Sequence, residues 1–333
     1  MGKKHRNLIG LITAPENLRA AYRLAARGKR MTPSYLEFKE FAEVHLGELA
    51  EELATGAYRP APPRTFTVFE PKRRQIEALS FRDRVAQHAL VGVIGPIFEA
   101  TFLPRTFACR PGLGVHAGVR VLQSDMRRMG EPLYALKTDF SKYFHSIDRA
   151  VLHGLIRKKI TCRATLALVD AITPSDGKGI PIGSLTSQLY ANLYGAQVDQ
   201  YLQLDRGVKM WVRYMDDIVV LDRDPARLRA LSADMAALAW DRLGLRFSKW
   251  SVQPISRGVN FLGYRIWPTH KLLRRQSVAR ARRVIRHLSG RGDHERLGRF
   301  LAAWLGHARW ADSHNLLRSL NLEYADVAAQ YPR

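Results

Sequence analysis

The sequence predicts an α+β fold with a mainly antiparallel sheet, and three observations support this prediction. The central stretch reads as strand, helix, helix, hairpin, helix and strand. Apolar residues recur at helical spacing through residues 1 to about 60. From Leu272 onward the chain reads as helical and rich in arginine. With 333 residues, 46% of them hydrophobic, the chain is long enough for about two packed units.

The charge balance indicates the kind of partner. The chain holds 53 Lys and Arg residues against 30 Asp and Glu residues, which gives a formal net charge of +23. Such an excess favours a polyanion, and nucleic acid first, over a merely solvated basic surface.

Cysteine usage and hydropathy indicate the compartment. Cys109 and Cys162 are the only cysteines and lack CxxC spacing, so we expect neither a disulfide framework nor a zinc site. No long apolar stretch follows the basic N-terminus, and none approaches the ~18 apolar residues that a membrane span requires. We therefore expect a cytoplasmic protein with no membrane partner.

The elements of the first half follow from local patterns. Residues 1–60 favour helices, and prolines from Pro60 onward end that pattern. Residues 65–69 alternate like a strand, and a helix is predicted for residues 82–94. Residues 133–138 read as a strand that ends at Asp139.

Local patterns also predict the elements of the second half of the chain. Asp148 is a good N-cap for the helix that follows it. A helix is predicted for residues 186–202, and residues 210–221 form a hairpin. The remaining predicted elements are a helix over residues 226–243, strands near residues 246–252 and 259–266, and the C-terminal helices.

Two adjacent carboxylates, Asp216 and Asp217, lie at the turn of the predicted hairpin. They repel each other within an apolar stretch, and such a cost is usually offset by a cation. Mg²⁺ fits best, since it is a hard cation that prefers oxygen ligands. An exposed Asp-Asp turn is the alternative, but Asp139 at the end of another strand favours the metal site. Three carboxylates can hold two Mg²⁺ ions ~3.5–4 Å apart, the arrangement for in-line phosphoryl transfer.

At this point the motifs resemble those of reverse transcriptases. The matching segments, in order, are residues 71–74 (PKRR), 83–87 (DRVAQ), 139–144 (DFSKYF), 214–217 (YMDD) and 261–264 (FLGY). The resemblance implies a right-hand polymerase fold. Residues 1–60 would form a helical extension, residues 61–132 with part of 155–182 the fingers, residues 133–266 the palm, and residues 267–333 a basic helical thumb.

One segment narrows the resemblance. Residues 182–188 (IGSLTSQ) stand where most reverse transcriptases have a QGxxxSP motif, and this form is similar to the enzymes of diversity-generating retroelements of phages and bacteria. Residues 2–9 and 261–273 also resemble the phage-encoded members. The resemblance implies a cytoplasmic enzyme that copies a template-repeat RNA into cDNA with errors at adenines, and works with a basic accessory protein that forms a helical pentamer.

The resemblance also implies roles for single residues. Asp139, Asp216 and Asp217 would be catalytic and hold two Mg²⁺ ions, and Phe140 is placed with them at the metal site. Four residues are expected to contact the deoxynucleotide: Lys72, Arg74, Phe144 and Ile182. Five are expected to contact template or primer: Gly183, Gln188, Tyr214, Phe261 and Gly263.

Some of these roles have alternatives. Phe144 would act as a steric gate against a ribose 2′-hydroxyl, or be a core aromatic, because Tyr143 is adjacent and one of the two must point inward. Ile182, in place of a glutamine, would weaken discrimination at adenines, or have no effect on fidelity. Reverse transcriptases often carry a lysine that protonates pyrophosphate; here that position falls on Trp250, and a solvated residue is the simpler interpretation of Lys249.

Two features of the C-terminal region complete the set. His307, Trp310 and His314 stand at helical spacing, and packing is favoured over a metal site because no third ligand is evident. The arginines of residues 274–286 are expected to follow the backbone of a duplex without reading its sequence.

Two rival functions stay open: a group II intron-like or retron-type polymerase, and a non-catalytic, maturase-like RNA-binding scaffold.

Overall fold

The computed structural model of the protein describes residues 3–69 and 73–322. It divides into two compact units. The first unit contains Met1–Pro111, Asp139–Val208 and Ala233–Lys249, and the second contains Gly112–Thr138, Lys209–Ser232 and Trp250–Arg333. The division into fingers, palm and thumb stays a prediction.

The helices alternate with short strands. The helices are α1 (Ile9–Thr13), α2 (Pro15–Ala25), α3 (Pro33–Glu40), α4 (Ala42–Thr55), α5 (Phe81–Glu99), α6 (Val115–Met129), α7 (Tyr143–Ser146), α8 (Arg149–Arg157), α9 (Arg163–Ile172), α10 (Leu185–Gln200), α11 (Pro225–Leu243), α12 (Arg275–Gly290), α13 (His294–Ala308) and α14 (His314–Arg318). A π-helical turn, Tyr201–Asp205, follows α10, and a 3₁₀ turn, Ile255–Arg257, precedes the last strands.

The strands form three small sheets. The strands are β1 (Arg64–Phe69), β2 (Arg73–Ala78), β3 (Tyr134–Phe140), β4 (Trp211–Tyr214), β5 (Asp217–Asp222), β6 (Phe247–Pro254), β7 (Val259–Phe261), β8 (Tyr264–Ile266) and β9 (Lys271–Leu273). Their orders are β1-β2, β4-β5-β3-β6 and β7-β8-β9. The pairs β1–β2, β4–β5, β7–β8 and β8–β9 are antiparallel. The predicted α+β class is therefore confirmed.

The first unit is built around α5. Its N-cap Ser80 accepts a hydrogen bond from the Asp83 backbone N–H, which ends the preceding extended segment and starts the helix. Helix α2 buries Leu18, Ala21 and Ala25, which recur at i, i+3 and i+7, and packs against α5. Helix α10 also packs against α5. This packing places the segment before α10 beside α5.

The second unit is built on the four-stranded sheet. Strands β4 and β5 bury Trp211, Val212, Ile218 and Val219, which all have 0% exposure. Continuous apolar sequence of this kind is typical of a strand covered on both faces. Helix α6 packs against β4.

No helix in the described ranges is long and apolar enough to cross a lipid bilayer.

The structure changes two predicted elements. Residues 73–78, for which the sequence predicts no element, form β2, whose Arg74 pairs with Val68 of β1. The strand predicted near residues 259–266 is two strands, β7 and β8, separated by a turn at Leu262 and Gly263. At the second place a two-residue turn interrupts what reads as one strand.

Candidate active site

The β4–β5 hairpin presents the adjacent carboxylates. Tyr214 pairs with Asp217, so Met215 and Asp216 form the two-residue turn between them. Met215 has a φ of 55°, a left-handed conformation that is uncommon for a residue with a side chain. The buried Arg213 supports this turn, because its Nη1 donates a hydrogen bond of 3.1 Å to the Met215 carbonyl. Backbone strain that the surroundings hold in place is typical of functional sites.

Lys137 contacts one of the candidate catalytic carboxylates, a contact that the sequence analysis missed. Its Nζ lies 2.9 Å from Asp217 Oδ1 and 3.0 Å from Oδ2. The same ammonium donates a 2.7 Å hydrogen bond to the Asn260 carbonyl of β7, and it lies 6.0 Å from the centre of the Phe261 ring. Lys137 precedes Asp139 by two positions in β3, and residues two apart share one face of a strand. That spacing was the available signal.

Asp139 and Phe140 end β3. The Ser248 hydroxyl donates a 3.0 Å hydrogen bond to the Asp139 carbonyl, which fixes the backbone at this carboxylate. The Phe140 side chain is buried and its ring centre lies 4.8 Å from that of Phe247. The Phe140 side chain therefore belongs to the core, and only its backbone carbonyl could contribute to a metal site.

The chemistry of the donors fits Mg²⁺. Asp139, Asp216 and Asp217 offer carboxylate oxygens only, the ligands that a hard divalent cation prefers. In the part of the chain that the structure describes, no group of three or more His, Cys, Asp or Glu side chains is arranged so that it could hold a metal ion. The three-carboxylate site therefore stays a prediction.

The structure separates the roles of Tyr143 and Phe144. Tyr143 points inward, since it is 3% exposed and its hydroxyl donates a 2.7 Å hydrogen bond to the Ala191 carbonyl. Phe144 is only half-buried and lies edge-on to Tyr143. Of the two aromatic side chains, Phe144 is thus the one available to contact a nucleotide sugar.

Arg74 and the segment at Ile182 belong to one neighbourhood of the first unit. Arg74 and Ile76 share a face of β2, because they are two positions apart. A Cβ built at Gly183 would lie 3.4 Å from Ile76 Cγ2 and 3.7 Å from the Glu77 carbonyl. Gly183 has a φ of 106°, which favours glycine. The face of the hairpin that carries Arg74 thus contacts the segment at Ile182. Lys72 lies outside the described residues.

A cavity of about 220 Å³ adjoins the same segment. Its lining includes Arg84, His88, Gly183 and Gln188. Among the described residues, Arg84 Nε has no hydrogen-bond partner although it is buried, and burial lowers the pKa of Arg84. Burial, together with the Arg84 charge, lowers the pKa of His88 to about 4. The cavity therefore combines one cation with a neutral imidazole at neutral pH.

A hydrogen bond ties this segment to α5. The Ser184 hydroxyl donates to Gln87 Oε1 at 2.7 Å, and both side chains are buried. Gln188 lies one turn into α10 and lines the cavity. These contacts hold the backbone from Gly183 to Gln188 in one position relative to the helix.

The turn between β7 and β8 is the proposed primer contact. Leu262 has a φ of 48° and Gly263 a φ of 92°. Phe261 and Tyr264 on either side have 0% exposure. The Phe261 side chain is therefore part of the core and supports the turn, so that only the turn backbone and Leu262 remain to face a ligand.

The N-terminal half of β6 does not provide a buried general acid. Lys249 is exposed, as expected for a solvated lysine, and Trp250 is 54% exposed. The residue that protonates pyrophosphate stays unassigned.

A hairpin with paired carboxylates on an antiparallel sheet, in a strongly basic chain, is typical of nucleic-acid polymerases. Residues 69–266, more than half of the chain, match the model of the family described as reverse transcriptase (RNA-dependent DNA polymerase). The chain belongs to the reverse transcriptase family. It therefore carries an RNA-dependent DNA polymerase domain, which confirms the predicted enzyme class.

Several curated proteins are similar. The protein YkfC of Escherichia coli K12 is 25% identical over 84% of this chain and 86% of its own length. The group II intron-encoded protein LtrA of Lactococcus lactis is 23% identical over 49% of this chain, but over only 29% of its own length.

Among solved structures, telomerase from Candida albicans in complex with a TWJ fragment of telomeric RNA has a TM-score of 0.46 at 10% identity and covers 72% of this chain and 50% of its own. Apo telomerase from Candida tropicalis has a TM-score of 0.48 at 9% identity and covers 63% of this chain and 48% of its own.

Proposed function

We propose that this enzyme copies a template-repeat RNA into adenine-mutagenised cDNA for a diversity-generating retroelement. Family membership carries the polymerase activity itself, with template RNA and deoxynucleotides as substrates. The finer role rests on the segment of residues 182–188. The contact of Gly183 with the face of the hairpin that holds Arg74 supports a role for this segment beside the incoming nucleotide.

Asp139, Asp216 and Asp217 are proposed to hold the catalytic Mg²⁺ ions. Bound Mg²⁺ would lower the pKa of the attacking 3′-hydroxyl and neutralise charge on the pyrophosphate that leaves. The chain's own contribution is to position Asp216 and Asp217 at the hairpin and Asp139 at the end of β3, since phosphoryl transfer depends mainly on positioning and charge neutralisation.

The remaining side chains would bind and select substrates. Lys72 and Arg74 would contact the triphosphate, for which the planar donor fork of arginine is well suited. Phe144 would exclude a ribose 2′-hydroxyl. The turn at Gly263 would hold the primer end, while Gly183, Gln188 and Tyr214 would contact template or primer.

Ile182 is proposed to lower fidelity at adenines. A glutamine could hydrogen-bond near the nascent pair, whereas isoleucine can only pack. In Ile182→Gln, misincorporation opposite template adenine should fall several-fold, while error rates at the other three template bases stay unchanged. Leu204→Gln, at a residue 67% exposed, is the matched control. An unchanged adenine error rate in Ile182→Gln would remove this step.

The polymerase proposal is tested by dNTP incorporation on a primed RNA template. Wild type should extend the primer, Asp216→Ala should not, and Asp176→Asn, at an exposed loop position, should match wild type. Equal extension by wild type and Asp216→Ala would refute catalysis at this hairpin. A small basic accessory protein, implied by the resemblance, should be added in a parallel arm, because the enzyme could require it.

A second candidate is a group II intron-like or retron-type enzyme. The similarity to the group II intron-encoded protein LtrA favours it. Template choice separates the two: preferred copying of an intron RNA, with no excess of errors at adenines, would support this candidate over the retroelement. RNA binding that survives in the absence of any incorporation would instead support a maturase-like scaffold.

A further inference from the structure

Four rings in the second unit form a cluster beside the β7–β8 turn. We call His116, Tyr264, His307 and Trp310 the ring cluster. The rings of His116 and Trp310 stack with centres 3.9 Å apart and an interplanar angle of 15°. The centres of the Tyr264 and His307 rings lie 4.5 Å apart, and those of His116 and Tyr264 lie 6.2 Å apart. The cluster thus joins α6, β8 and the end of α13.

His307 also approaches the turn directly. A Cβ built at Gly263 would lie 3.0 Å from both Cε1 and Nε2 of His307. Such a contact is tighter than nearly all real ones, so the imidazole would have to shift by a few tenths of an ångström; the φ of 92° at Gly263 favours glycine independently. The ring of His307 therefore lies against the backbone of the turn.

Hydrogen bonds fix the orientation of the two side chains. Tyr264 Oη lies 2.9 Å from His307 Nδ1 and 3.1 Å from the His307 carbonyl, to which it donates. The Tyr264 hydroxyl therefore contacts both the ring and the backbone of His307. Tyr264 is fully buried, which makes the loss of either bond costly.

A second connection fixes α13 relative to the same sheet. The Lys271 backbone N–H donates to Asp312 Oδ2 at 2.8 Å, and the Asp312 N–H donates to the Lys271 carbonyl at 2.8 Å. Strand β9, which pairs with β8, is therefore attached to the segment just after α13. His307 is thus held from two sides.

We propose that His307 is a positioning residue that holds the Leu262–Gly263 turn, and with it the primer 3′ end, in place for nucleotide addition. This inference rests on the proposed contact between that turn and the primer. It gives His307 a role that sequence spacing alone left as packing or metal binding. His314, by contrast, is exposed and lies 3.1 Å from Arg318.

The surroundings of the cluster favour neutral imidazoles. Burial lowers the pKa of His307, although a hydrogen bond with the Gly263 backbone opposes the shift. Burial also lowers the pKa of His116, and the charges that face it add to the effect: His307, Arg120, Arg309 and Lys271. Protonation of either ring would place a further cation among these groups. Acid is therefore expected to loosen the turn.

Single-turnover primer extension tests the proposal in the full-length enzyme. Misplacement by about 1 Å can cost ~10²-fold in rate, so His307→Ala should slow addition by at least about tenfold at saturating dNTP. The Kd for primer–template should change by less than twofold. His307→Asn, which keeps a polar group near the Nδ1 position, should recover part of the rate. His314→Ala is the matched control.

The pH profile separates positioning from simple packing. The rate ratio of His307→Asn to wild type should rise at a pH below the ordinary imidazole value of about 6.5, because burial lowers the pKa of the wild-type rings. Tyr264→Phe, which keeps the ring and removes the hydroxyl, provides a variant that should fold even if His307→Ala does not. A pH-independent ratio together with a wild-type rate in Tyr264→Phe would overturn the proposal.

Gly263→Ala distinguishes this inference from the function on which it rests. If Gly263→Ala slows addition but the His307 and Tyr264 variants do not, the turn contacts the primer and His307 has no positioning role. If Gly263→Ala also adds nucleotides at the wild-type rate, the proposed primer contact itself is wrong.

Discussion

Lys137 and Asp217 form an ion pair between the neighbouring strands β3 and β5, with 2.9 Å between Nζ and Oδ1. Both side chains are largely shielded, at 24% and 20% exposure. The bond from Lys137 to the Asn260 carbonyl links this carboxylate to the strand before the proposed primer turn. One ammonium therefore connects two of the motifs from which function is inferred.

Replacement of Lys137 should impair both stability and catalysis. In Lys137→Met the shielded Asp217 carboxylate loses its ion pair with the Lys137 ammonium, which should lower the free energy of unfolding by ~1–3 kcal/mol. The rate of nucleotide addition should also fall, because Asp217 is no longer held. Lys137→Arg should retain part of the stability and part of the rate. Lys209→Met, at an exposed loop residue, should leave both at their wild-type values. Chemical denaturation and single-turnover kinetics measure the two effects; wild-type values of both in Lys137→Met would show that the ion pair is dispensable.

Phe144→Ala should weaken the discrimination against ribonucleotides. Removal of a steric block of this kind typically changes selectivity by ~1–3 kcal/mol, so the ratio of kcat/KM for dNTP over rNTP should fall by about tenfold or more. Tyr143→Phe keeps the ring and removes the buried bond to the Ala191 carbonyl, and should lower stability without a change in selectivity. A loss of selectivity in Tyr143→Phe but not in Phe144→Ala would show that Tyr143, and not Phe144, is the steric gate.

Gly183→Ala should lower both the stability of the protein and the rate of nucleotide addition. A left-handed φ of 106° costs a non-glycine residue ~1–3 kcal/mol, and the new methyl group would press on Ile76 of β2. Gly112→Ala is a suitable comparison, because Gly112 has a φ of 70° but no atom within 4 Å of the added Cβ. We expect both variants to lose stability and only Gly183→Ala to lose polymerase rate. Equal rates in the two variants would argue against a functional contact at Gly183.

The sequence was sufficient where local rules decide the structure. The N-cap role of Asp148 is confirmed, since its side chain accepts a 3.1 Å hydrogen bond from the Val151 N–H. The hairpin at Asp216 and the helix that follows Ser184 also lie close to their predicted places. Alternation, capping and turn preferences act within a few residues, and these elements depend on little else.

The sequence was insufficient where strand pairing decides the contacts. The partner of Lys137 depends on the order of β3 and β5 in the sheet, which no local pattern specifies. Phe140 and Phe261 were expected to take part in the site, but burial shows that their side chains support it from the core. The role of Gly263 toward His307 also depends on a contact between residues 44 positions apart.

His88 should make the protein sensitive to mild acid. Its pKa is about 4 in the folded protein against an ordinary value of 6.5, so the unfolded chain binds more protons between these values. Stability should therefore be unaffected above about pH 6.5 and fall as pH decreases toward about 4. His88→Gln should flatten this fall, whereas His314→Gln, at an exposed position, should not. Urea midpoints at pH 7.5 and pH 5 provide the comparison, and an equal decrease in both variants would contradict the assignment.

The exposed arginines of α12 should set the salt dependence of nucleic-acid binding. Arg275, Arg282, Arg283 and Arg286 line one open groove of the helix. If Arg282 and Arg286 each neutralise one phosphate, the double variant Arg282→Gln/Arg286→Gln should reduce the slope of log K against log salt by ~1.4–1.8. The loss of affinity should be the same for templates of different sequence, since backbone contacts carry no base information. Arg299→Gln in α13, where Arg299 pairs with Glu295 at 3.3 Å, should leave the slope unchanged. An unchanged slope in the double variant would place the nucleic acid elsewhere.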